Sequence, residues 1–400
     1  MNRIKRKNKI NDEEIIAVVF IGIIFSSLFF TIFTNYKLIK DEIKKIWNQE
    51  EVNYYEKISQ ITNKSESILN EAIYNKTNYI NTYGLVQRIL QKKYIEDNND
   101  KSREIYKTKD GMLTFIQKEE KMKERASSIL DFQESLKEEK IPVIYVQAPY
   151  KIKKENDLPI GVTDYANKNA DKLLEYLNNE KIDTIDLRKN FEEMSVQEEY
   201  FVTDHHWRIT TAFTAVNYIA EILNNKYDFN VNQYYSDINN YKIIKQNRSF
   251  LGSIGKRIGR YYSNIDDFEY ILPDFETNFE VEKGDEVKKG SFEKTIVIKE
   301  LIESKDINTN RYACYFGGDF SEIIVKNNNI INNKKVLVIQ DSYGLAFSAL
   351  LSLRVKELRT IDLRHFDKQK IAYAKEYKPD IVIILYNPSS FYIEKNFILE

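Results

Sequence analysis

A long run of apolar residues stands near the beginning of the chain. From Ile15 to Thr34 no residue is charged, and lysines lie on both sides of the run. At about 1.5 Å per residue, such a helix spans the ~30 Å hydrocarbon core of a membrane. The five basic residues among the first eleven favour a cytoplasmic N-terminus. We therefore predict a cytoplasmic stub over residues 1–14, a transmembrane anchor over 15–35 and an extracytoplasmic remainder.

Two other interpretations of this run are a buried core helix and a cleaved signal peptide. A core helix fits poorly, because the run is apolar on every face and basic residues flank it. A signal peptide fits less well than an anchor, because the run is long and no A-x-A-like cleavage site follows it. The sequence thus favours an uncleaved, single-pass anchor in the cell membrane.

Beyond the anchor the pattern changes to that of amphipathic helices. Residues 36–100 are charged and free of proline, with apolar positions three and four residues apart, which predicts a helical stalk. Helices and short apolar strands then alternate over residues 101–400. Between residues 226 and 333 the pattern loosens into short strands punctuated by Tyr and Gly, which predicts a β-rich insertion.

The last seventy residues have the most regular pattern. Near-continuous apolar strands alternate with helices, at 334–342, 343–355, 358–364, 366–377 and 379–388. This β-α-β-α-β order is typical of a parallel sheet with helices on both faces. Ligands of such sheets lie beyond the carboxyl ends of the strands. We therefore expect the chemistry at the residues that end these strands, which are Asp341, Ser342, Arg364, His365 and Asn387.

Composition narrows the function further. Hydrophobic residues make up 42% of the 400 residues and aromatic residues 13%, which excludes a mainly disordered chain. Sixty Lys and Arg against 61 Asp and Glu leave a net charge of −1, so no basic field points to nucleic acid. One cysteine, Cys314, excludes an intramolecular disulfide and a multi-cysteine metal site. Only three histidines are present, and two of them are adjacent.

Ser342 directly follows a predicted strand and opens a predicted helix. The N-terminus of a helix offers unpaired N–H groups and a positive dipole end, which suits an oxyanion beside a serine nucleophile. A plainer interpretation is that Asp341 or Ser342 caps the helix, since both residue types are favoured there. The local pattern leaves both interpretations open.

The adjacent histidines stand in the segment Thr203–Trp207, just before a predicted helix over 207–225. If this segment is extended, residues i and i+2 share a side, so Asp204 and His206 point together and His205 points away. A serine nucleophile needs a base and an orienting carboxylate, and these two residues can supply both. A helix cap with surface histidines is one alternative. A metal site is the other, although its further ligands would have to be carboxylates.

Four motifs together resemble a known family. TDHHW at 203–207, FLGSIGKRIG at 250–259, IQDSYG at 339–344 and TIDLRHF at 360–366 occur in the order found in the DHHW family of exported bacterial proteins. The Asp-x-His-Trp element is also similar to that of the alginate O-acetyltransferases with an SGNH-hydrolase-like domain. The resemblance covers roughly residues 100–400. It implies a flavodoxin-like α/β domain with a parallel sheet and a motif order permuted relative to ordinary SGNH esterases.

The resemblance also implies roles for individual residues. Ser342 would be the nucleophile, His206 the base and Asp204 the residue that orients the base. The Arg364 backbone and the Asn387 side chain would occupy the places of the other two oxyanion donors. Of the two we prefer Asn387, because a side-chain amide at the carboxyl end of a strand can reach a serine on a neighbouring strand. Two features depart from the esterase pattern, namely the spacing Asp-x-His and the Gln before Asp-Ser. Both departures bear on the geometry of the oxyanion site.

Three further residues are candidates for binding substrate. Lys151 follows the predicted strand at 142–149 and either contacts substrate or is solvated. Trp207 either stacks on a sugar ring or packs the start of its helix. His205 completes the set.

The resemblance implies O-acetyl transfer to a cell-surface or exported polysaccharide, without a metal or cofactor. Because acetyl-CoA is not available outside the membrane, we expect a polytopic membrane-bound O-acyltransferase as the acyl donor. A carbohydrate acetylesterase with the same triad is one alternative. A non-catalytic glycan-binding or scaffold component of a surface-polymer assembly is the other. No nucleic acid is expected as a partner.

Overall fold

The structure is a computed structural model that describes residues 12–50, 52–96 and 104–400. Most of the predicted cytoplasmic stub and the predicted boundary near residue 100 lie outside the described residues. The chain divides into two compact units, one up to Tyr83 and one from Gly84 to Glu400.

The first unit is built from helices. α1 (Asp12–Trp47) contains the apolar run, and its large apolar side chains are exposed. α2 (Tyr54–Glu71) packs on α1 and begins after Asn53, whose side chain accepts a hydrogen bond from Glu56 N–H at 3.0 Å. α3 (Lys76–Ile89) begins in this unit. By length and composition α1 is able to cross a membrane, as an anchor or as a signal sequence.

The second unit combines strands with helices and holds every candidate site residue. Its strands are β1 (Tyr94–Glu96), β2 (Glu104–Lys107), β3 (Leu113–Phe115), β4 (Val143–Gln147), β5 (Asp183–Asp186), β6 (Tyr241–Phe250), β7 (Asp266–Pro273), β8 (Phe279–Lys283), β9 (Glu286–Gly290), β10 (Glu322–Asn327), β11 (Lys335–Gln340), β12 (Glu357–Ile361) and β13 (Ile381–Tyr386). Its helices are α4 (Met122–Leu136), α5 (Ala166–Asn179), α6 (Val196–Glu199), α7 (Ile209–Tyr227), α8 (Gly255–Ile258), α9 (Phe292–Thr295), α10 (Lys299–Glu303), α11 (Gly344–Leu351) and α12 (Lys370–Tyr377).

Within the described residues, eight strands form the central sheet in the order β5-β4-β13-β11-β12-β10-β8-β9. The first five are parallel to one another, and the last three continue the sheet antiparallel. β1, β2 and β3 form a small antiparallel sheet, and β6 pairs with β7. The predicted α/β class with a parallel sheet is confirmed. The segment at 226–333 supplies β6 to β10, and three of these strands extend the central sheet.

Both faces of the central sheet are covered, because successive strand residues point to opposite faces. In β11, Val336 and Val338 belong to the core that includes α7 and α11, whereas Leu337 and Ile339 belong to the core that includes α4, α5 and α12. This double burial explains why the central strands are apolar without alternation. The carboxyl ends of β4, β11, β12 and β13 meet at one edge of the sheet, where the candidate site lies.

Candidate active site

Ser342 lies between the end of β11 and the start of α11. Asp341 fixes the turn, because its carboxylate accepts a hydrogen bond from Tyr343 N–H (2.9 Å) and its carbonyl accepts one from Gly344 N–H (2.9 Å). A side chain at Gly344 has no room, since a Cβ there would lie 2.2 Å from Gln340 Oε1. Burial raises the pKa of Asp341 to about 6. The turn is thus formed by the neighbouring aspartate, and the serine hydroxyl points to another partner.

The structure brings Ser342, His206 and Asp204 into one chain of hydrogen bonds. His206 Nε2 lies 2.8 Å from Ser342 Oγ, and His206 Nδ1 lies 2.6 Å from Asp204 Oδ1. The backbone N–H of His206 donates to the same carboxylate oxygen at 3.0 Å. Asp204 and His206 are buried, and the serine is half-buried. With the histidine proton on Nδ1, Nε2 is able to accept the serine proton.

Asp204 is held as a carboxylate. Burial by itself would raise its pKa, but the neighbouring His206 and His205 and the hydrogen bonds from His206 and from Ser253 N–H hold the pKa of Asp204 well below its ordinary value. An ionised carboxylate at this point is able to stabilise a protonated His206 imidazolium.

The motif at 250–259 packs against the segment that contains Asp204 and holds it by hydrogen bonds. The N–H of Gly252 donates to Thr203 Oγ1 (2.7 Å), and the N–H of Ser253 donates to Asp204 Oδ2 (2.6 Å). A Cβ on Gly252 would lie 2.3 Å from Asp204 Cβ, so the two backbones can approach this closely only because residue 252 is glycine. The TDHHW and FLGSIG motifs, far apart in sequence, therefore make one structural element.

Two buried charged side chains hold the same segment from other directions. Lys151 Nζ donates to the carbonyls of Leu113 (2.7 Å), Val202 (3.0 Å) and Asp204 (2.6 Å). The carboxylate of Asp266 accepts the N–H groups of Val202 and of the next residue, both at 2.7 Å. Burial lowers the pKa of Lys151 to about 7, and the nearby Asp266 and Asp204 oppose this. Both interpretations of Lys151 given above are corrected: it is not solvated, and its three donors are already used.

Trp207 is buried at the start of α7 and does not present its ring to a sugar. Its indole N–H donates to the Tyr312 hydroxyl (3.0 Å) and lies 3.2 Å from the Tyr343 carbonyl. The Tyr312 ring stacks on His206, with ring centroids 3.8 Å apart and planes 9° apart. The prediction of sugar stacking by Trp207 is therefore wrong. The packing alternative holds, and Trp207 supports the tyrosine that lies against the histidine ring.

His205 lies beside His206 rather than away from it. The segment bends instead of being extended, and the two histidine ring centroids are 3.8 Å apart. His205 Nδ1 lies 2.8 Å from Ser253 Oγ, and its half-buried side chain lines the cavity beside Ser342. The predicted direction of this side chain is wrong. Its role in contacting substrate stays a prediction.

The two predicted oxyanion donors are engaged elsewhere. The backbone N–H of Arg364 donates to the Asp362 carboxylate (3.0 Å), which also pairs with the guanidinium. The Asn387 side chain is buried, with its amide donating to the Pro149 carbonyl and its oxygen accepting the Ser389 N–H (2.9 Å). Both predictions are corrected: the turn at Asp362 uses the N–H of Arg364, and the buried amide of Asn387 donates to Pro149.

A cavity of about 140 Å³ opens beside Ser342. Aromatic rings line it from Phe115, Tyr150 and Tyr392, and a charged guanidinium lines it from Arg257. Within the described residues, no acceptor takes the backbone N–H of the serine. The cavity therefore offers room for a small acyl group next to one hydroxyl that contacts a histidine and one open N–H donor.

Asp204, His205 and His206 also have ligand atoms of the kind that bind metal, all within 4.8 Å of one another. However, the ring nitrogens of His206 contact Ser342 and Asp204, and His205 Nδ1 contacts Ser253. A metal would have to replace these hydrogen bonds. The arrangement therefore fits a serine–histidine–carboxylate relay better than a metal centre.

Comparison with known proteins confirms the resemblance predicted from the motifs. Residues 107–237 match a family model described as the SGNH hydrolase-like domain of the acetyltransferase AlgX. This segment includes Asp204 and His206 and ends before Ser342. None of the curated proteins compared with the chain matches it.

Solved structures extend the likeness to most of the second unit. PatB1 of Bacillus cereus is 23% identical, with a TM-score of 0.59 over 72% of this chain and 97% of that chain. PatB1 with a sulfonyl adduct gives the same identity and score, over 72% of this chain and 96% of that one. A DHHW family protein from Eubacterium siraeum is 18% identical, with a TM-score of 0.56 over 76% of this chain and 97% of that chain. The chain therefore has the fold of PatB1 and of the DHHW family protein, and its residues 107–237 match the SGNH hydrolase-like domain of the acetyltransferase AlgX.

Proposed function

We propose that this protein transfers an acetyl group to a hydroxyl of a cell-surface or exported polysaccharide, with Ser342 as the nucleophile. The observation that carries the proposal is the chain of hydrogen bonds from Ser342 through His206 to Asp204, at 2.8 Å and 2.6 Å. The match of residues 107–237 to an acetyltransferase domain supports acetyl as the group transferred. The resemblance of the motifs to alginate O-acetyltransferases supports a polysaccharide acceptor.

The first half-reaction forms an acyl-enzyme. Ser342 Oγ attacks the carbonyl carbon of the acyl donor while His206 Nε2 takes its proton. Asp204 keeps the imidazolium oriented and neutralises its charge. The tetrahedral intermediate then expels the leaving group, which receives the proton from His206. General base catalysis of this kind contributes roughly 10²- to 10⁴-fold.

The second half-reaction passes the acyl group on. A sugar hydroxyl attacks the Ser342 ester, His206 takes the hydroxyl proton, and the proton returns to Ser342 Oγ as the serine leaves. The backbone N–H of Ser342 is our candidate for one oxyanion donor, because no acceptor in the described part of the chain takes it and it lies just before a helix.

We also propose that α1 anchors the protein and that the second unit lies outside the membrane. The acyl group would then come from a polytopic membrane-bound O-acyltransferase, because acetyl-CoA is not available there. The mass of the protein recovered from membranes tests the anchor. Loss of residues 1–35 from that mass would identify a cleaved signal sequence instead.

The central experiment replaces the nucleophile. We expect Ser342→Ala to lower acetylation of the polymer by at least about 10³-fold and to abolish labelling by a sulfonyl fluoride, without loss of folding. Ser389→Ala is the matched control, because Ser389 lines the same cavity. Full acetylation by Ser342→Ala, or labelling of Ser389 in place of Ser342, would contradict the mechanism.

The same acyl-enzyme would give an acetylesterase if water reached it before a sugar. Product analysis of the wild-type protein with and without an acceptor glycan separates the two reactions. Ester formation on the glycan supports the transferase, whereas free acetate at an unchanged rate in both conditions supports the esterase.

A further inference from the structure

Lys151 is a buried ammonium group whose hydrogen bonds all go to backbone carbonyls. Its side chain is 3% exposed, and its three donors reach Leu113 on β3, Val202 and Asp204. A lysine ammonium has three N–H groups and no acceptor, so this set of partners is complete. Lys151 therefore has no donor left for a substrate, although it lies at the edge of the cavity beside Ser342.

Among the described residues, Val202 to His206 belong to no strand, and one backbone hydrogen bond reaches this segment from β3, from the N–H of Leu113 to the Val202 carbonyl (2.9 Å). Buried carbonyls and N–H groups need partners. The carbonyl of Thr203 accepts the backbone N–H groups of Ile254 and Gly255, and side chains supply several of the other partners. Lys151 donates to the carbonyls of Val202 and Asp204, while Asp266 accepts the Val202 N–H. The backbone of the triad carboxylate is thus fixed by side chains that have no contact with the reacting atoms.

We propose that Lys151 is a positioning residue for the reaction, which holds the carbonyl of Asp204 so that the Asp204 carboxylate meets His206. The inference rests on the proposed function. Removing the ammonium leaves the Asp204 carbonyl without the donor described for it, while the Val202 carbonyl keeps the N–H of Leu113 at 2.9 Å. The backbone at Asp204 then has to move to find water or another donor. A movement of about 1 Å at a catalytic group costs roughly 100-fold in rate. We expect the loss in kcat and not in KM, because Lys151 has no donor left to bind substrate.

A second lysine two residues away provides a matched control. Lys153 Nζ also donates to two backbone carbonyls, of Phe191 and Met194, and pairs with the buried Glu199. In the part of the chain that the structure describes, its hydrogen bonds and ion pair hold a different loop and do not reach residues 202–206. Lys153→Met therefore removes the same kind of interaction from the same stretch of chain without touching Asp204.

The experiment compares Lys151→Met with Lys153→Met in the full-length protein in detergent, with para-nitrophenyl acetate as acyl donor. We expect Lys151→Met to lower kcat roughly 100-fold at an unchanged KM, and to shift or remove the downfield proton resonance of the hydrogen bond between His206 and Asp204. We expect Lys153→Met to keep the wild-type kcat and the resonance, although its melting temperature falls by about as much as that of Lys151→Met.

Three results would overturn the inference: wild-type kcat in Lys151→Met, an equal fall of kcat in both variants, or a raised KM at unchanged kcat. If Lys151→Met does not fold, Lys151→Gln and Lys153→Gln give the same comparison, because glutamine keeps part of the donor set and spares more of the fold. Ser342→Ala separates this inference from the proposed function. If Ser342→Ala is inactive and Lys151→Met is fully active, only the role of Lys151 is wrong.

Discussion

The close approach of Gly252 to Asp204 allows a direct test of how the site is built. A Cβ at position 252 would lie 2.3 Å from Asp204 Cβ and 2.6 Å from Asp204 Cα. Ordinary contact begins at 3.4 Å, so Gly252→Ala requires the two backbones to separate by up to about 1.1 Å. No rotamer change can relieve this contact, because the atoms that the new methyl group meets are backbone atoms and a Cβ.

The displacement acts directly on the proposed relay. Asp204 holds His206 through a 2.6 Å hydrogen bond and is itself held by Ser253 N–H at 2.6 Å. A full shift along either contact would lengthen it to about 3.7 Å, beyond hydrogen-bonding distance. We therefore expect Gly252→Ala to lower kcat roughly 100-fold. We expect the free energy of unfolding to fall by about 1–3 kcal/mol, as for other overpacked sites.

The assay measures kcat with para-nitrophenyl acetate and the free energy of unfolding by urea denaturation. Gly284→Ala is the control, because Gly284 has φ = +56° in the turn between β8 and β9 and a Cβ there would meet nothing within 4 Å. That variant costs about 1–2 kcal/mol of backbone strain and should keep kcat. Wild-type kcat in Gly252→Ala, or an equal fall of kcat in the control, would refute the claim that this contact positions Asp204.

Two further predictions concern stability. Burial raises the pKa of Glu199 from its ordinary 4.5 to about 7, so the stabilisation by the protonated side chain is complete below pH 4.5 and falls by about 3 kcal/mol as the pH rises to 7. Measurements of the free energy of unfolding against pH should show this slope, and Glu199→Gln should flatten it. Tyr312→Phe keeps the ring on His206 and removes the hydroxyl that accepts from Trp207, so we expect about 1 kcal/mol lower stability and little change in kcat; a tenfold fall of kcat would contradict the second expectation.

The sheet and the position of Ser342 could be predicted from sequence, because both follow from local patterns with a physical cause. The apolar strands β11 and β13 lack alternation, since they are buried on both faces. Parallel strands end at one edge, so Ser342 after β11 had to lie near the residues that follow β4, β12 and β13. The contact of Asp204 with His206 was expected from an extended segment, and the structure makes the same contact through a turn instead.

The support of the site could not be predicted in this way. Lys151, Asp266 and Tyr312 come from three distant parts of the chain and meet the triad segment only in the folded protein. A lysine after a strand is usually solvated, and the pattern carries no sign that Lys151 turns inward to three carbonyls. Ser253 is the exception, because it lies in the motif FLGSIGKRIG, which is one of the four motifs that carry the family resemblance.

The chain turns in the same way after three of the parallel strands, and these turns bear on the two predicted oxyanion donors that proved wrong. Asp341, Asp362 and Asn387 follow β11, β12 and β13, and each accepts the backbone N–H two residues further on. The turn after β12 uses the N–H of Arg364, which is why that N–H is not available to an oxyanion. The turn after β13 uses the side-chain oxygen of Asn387, and the amide of the same side chain is buried and donates to the Pro149 carbonyl.

In such a turn the side chain accepts the N–H two residues further on and leaves the N–H of the middle residue without this hydrogen bond. After β13 the middle residue is Pro388, which has no N–H, whereas after β11 it is Ser342. The capping interpretation and the nucleophile interpretation of the Asp-Ser pair are therefore compatible. Asp341 makes the turn, which leaves the hydroxyl of Ser342 to contact His206 and leaves its N–H without an acceptor among the described residues. Asp204 and His206 follow the same rule, because the Asx turn between them bends the segment that was expected to be extended and brings His205 beside His206.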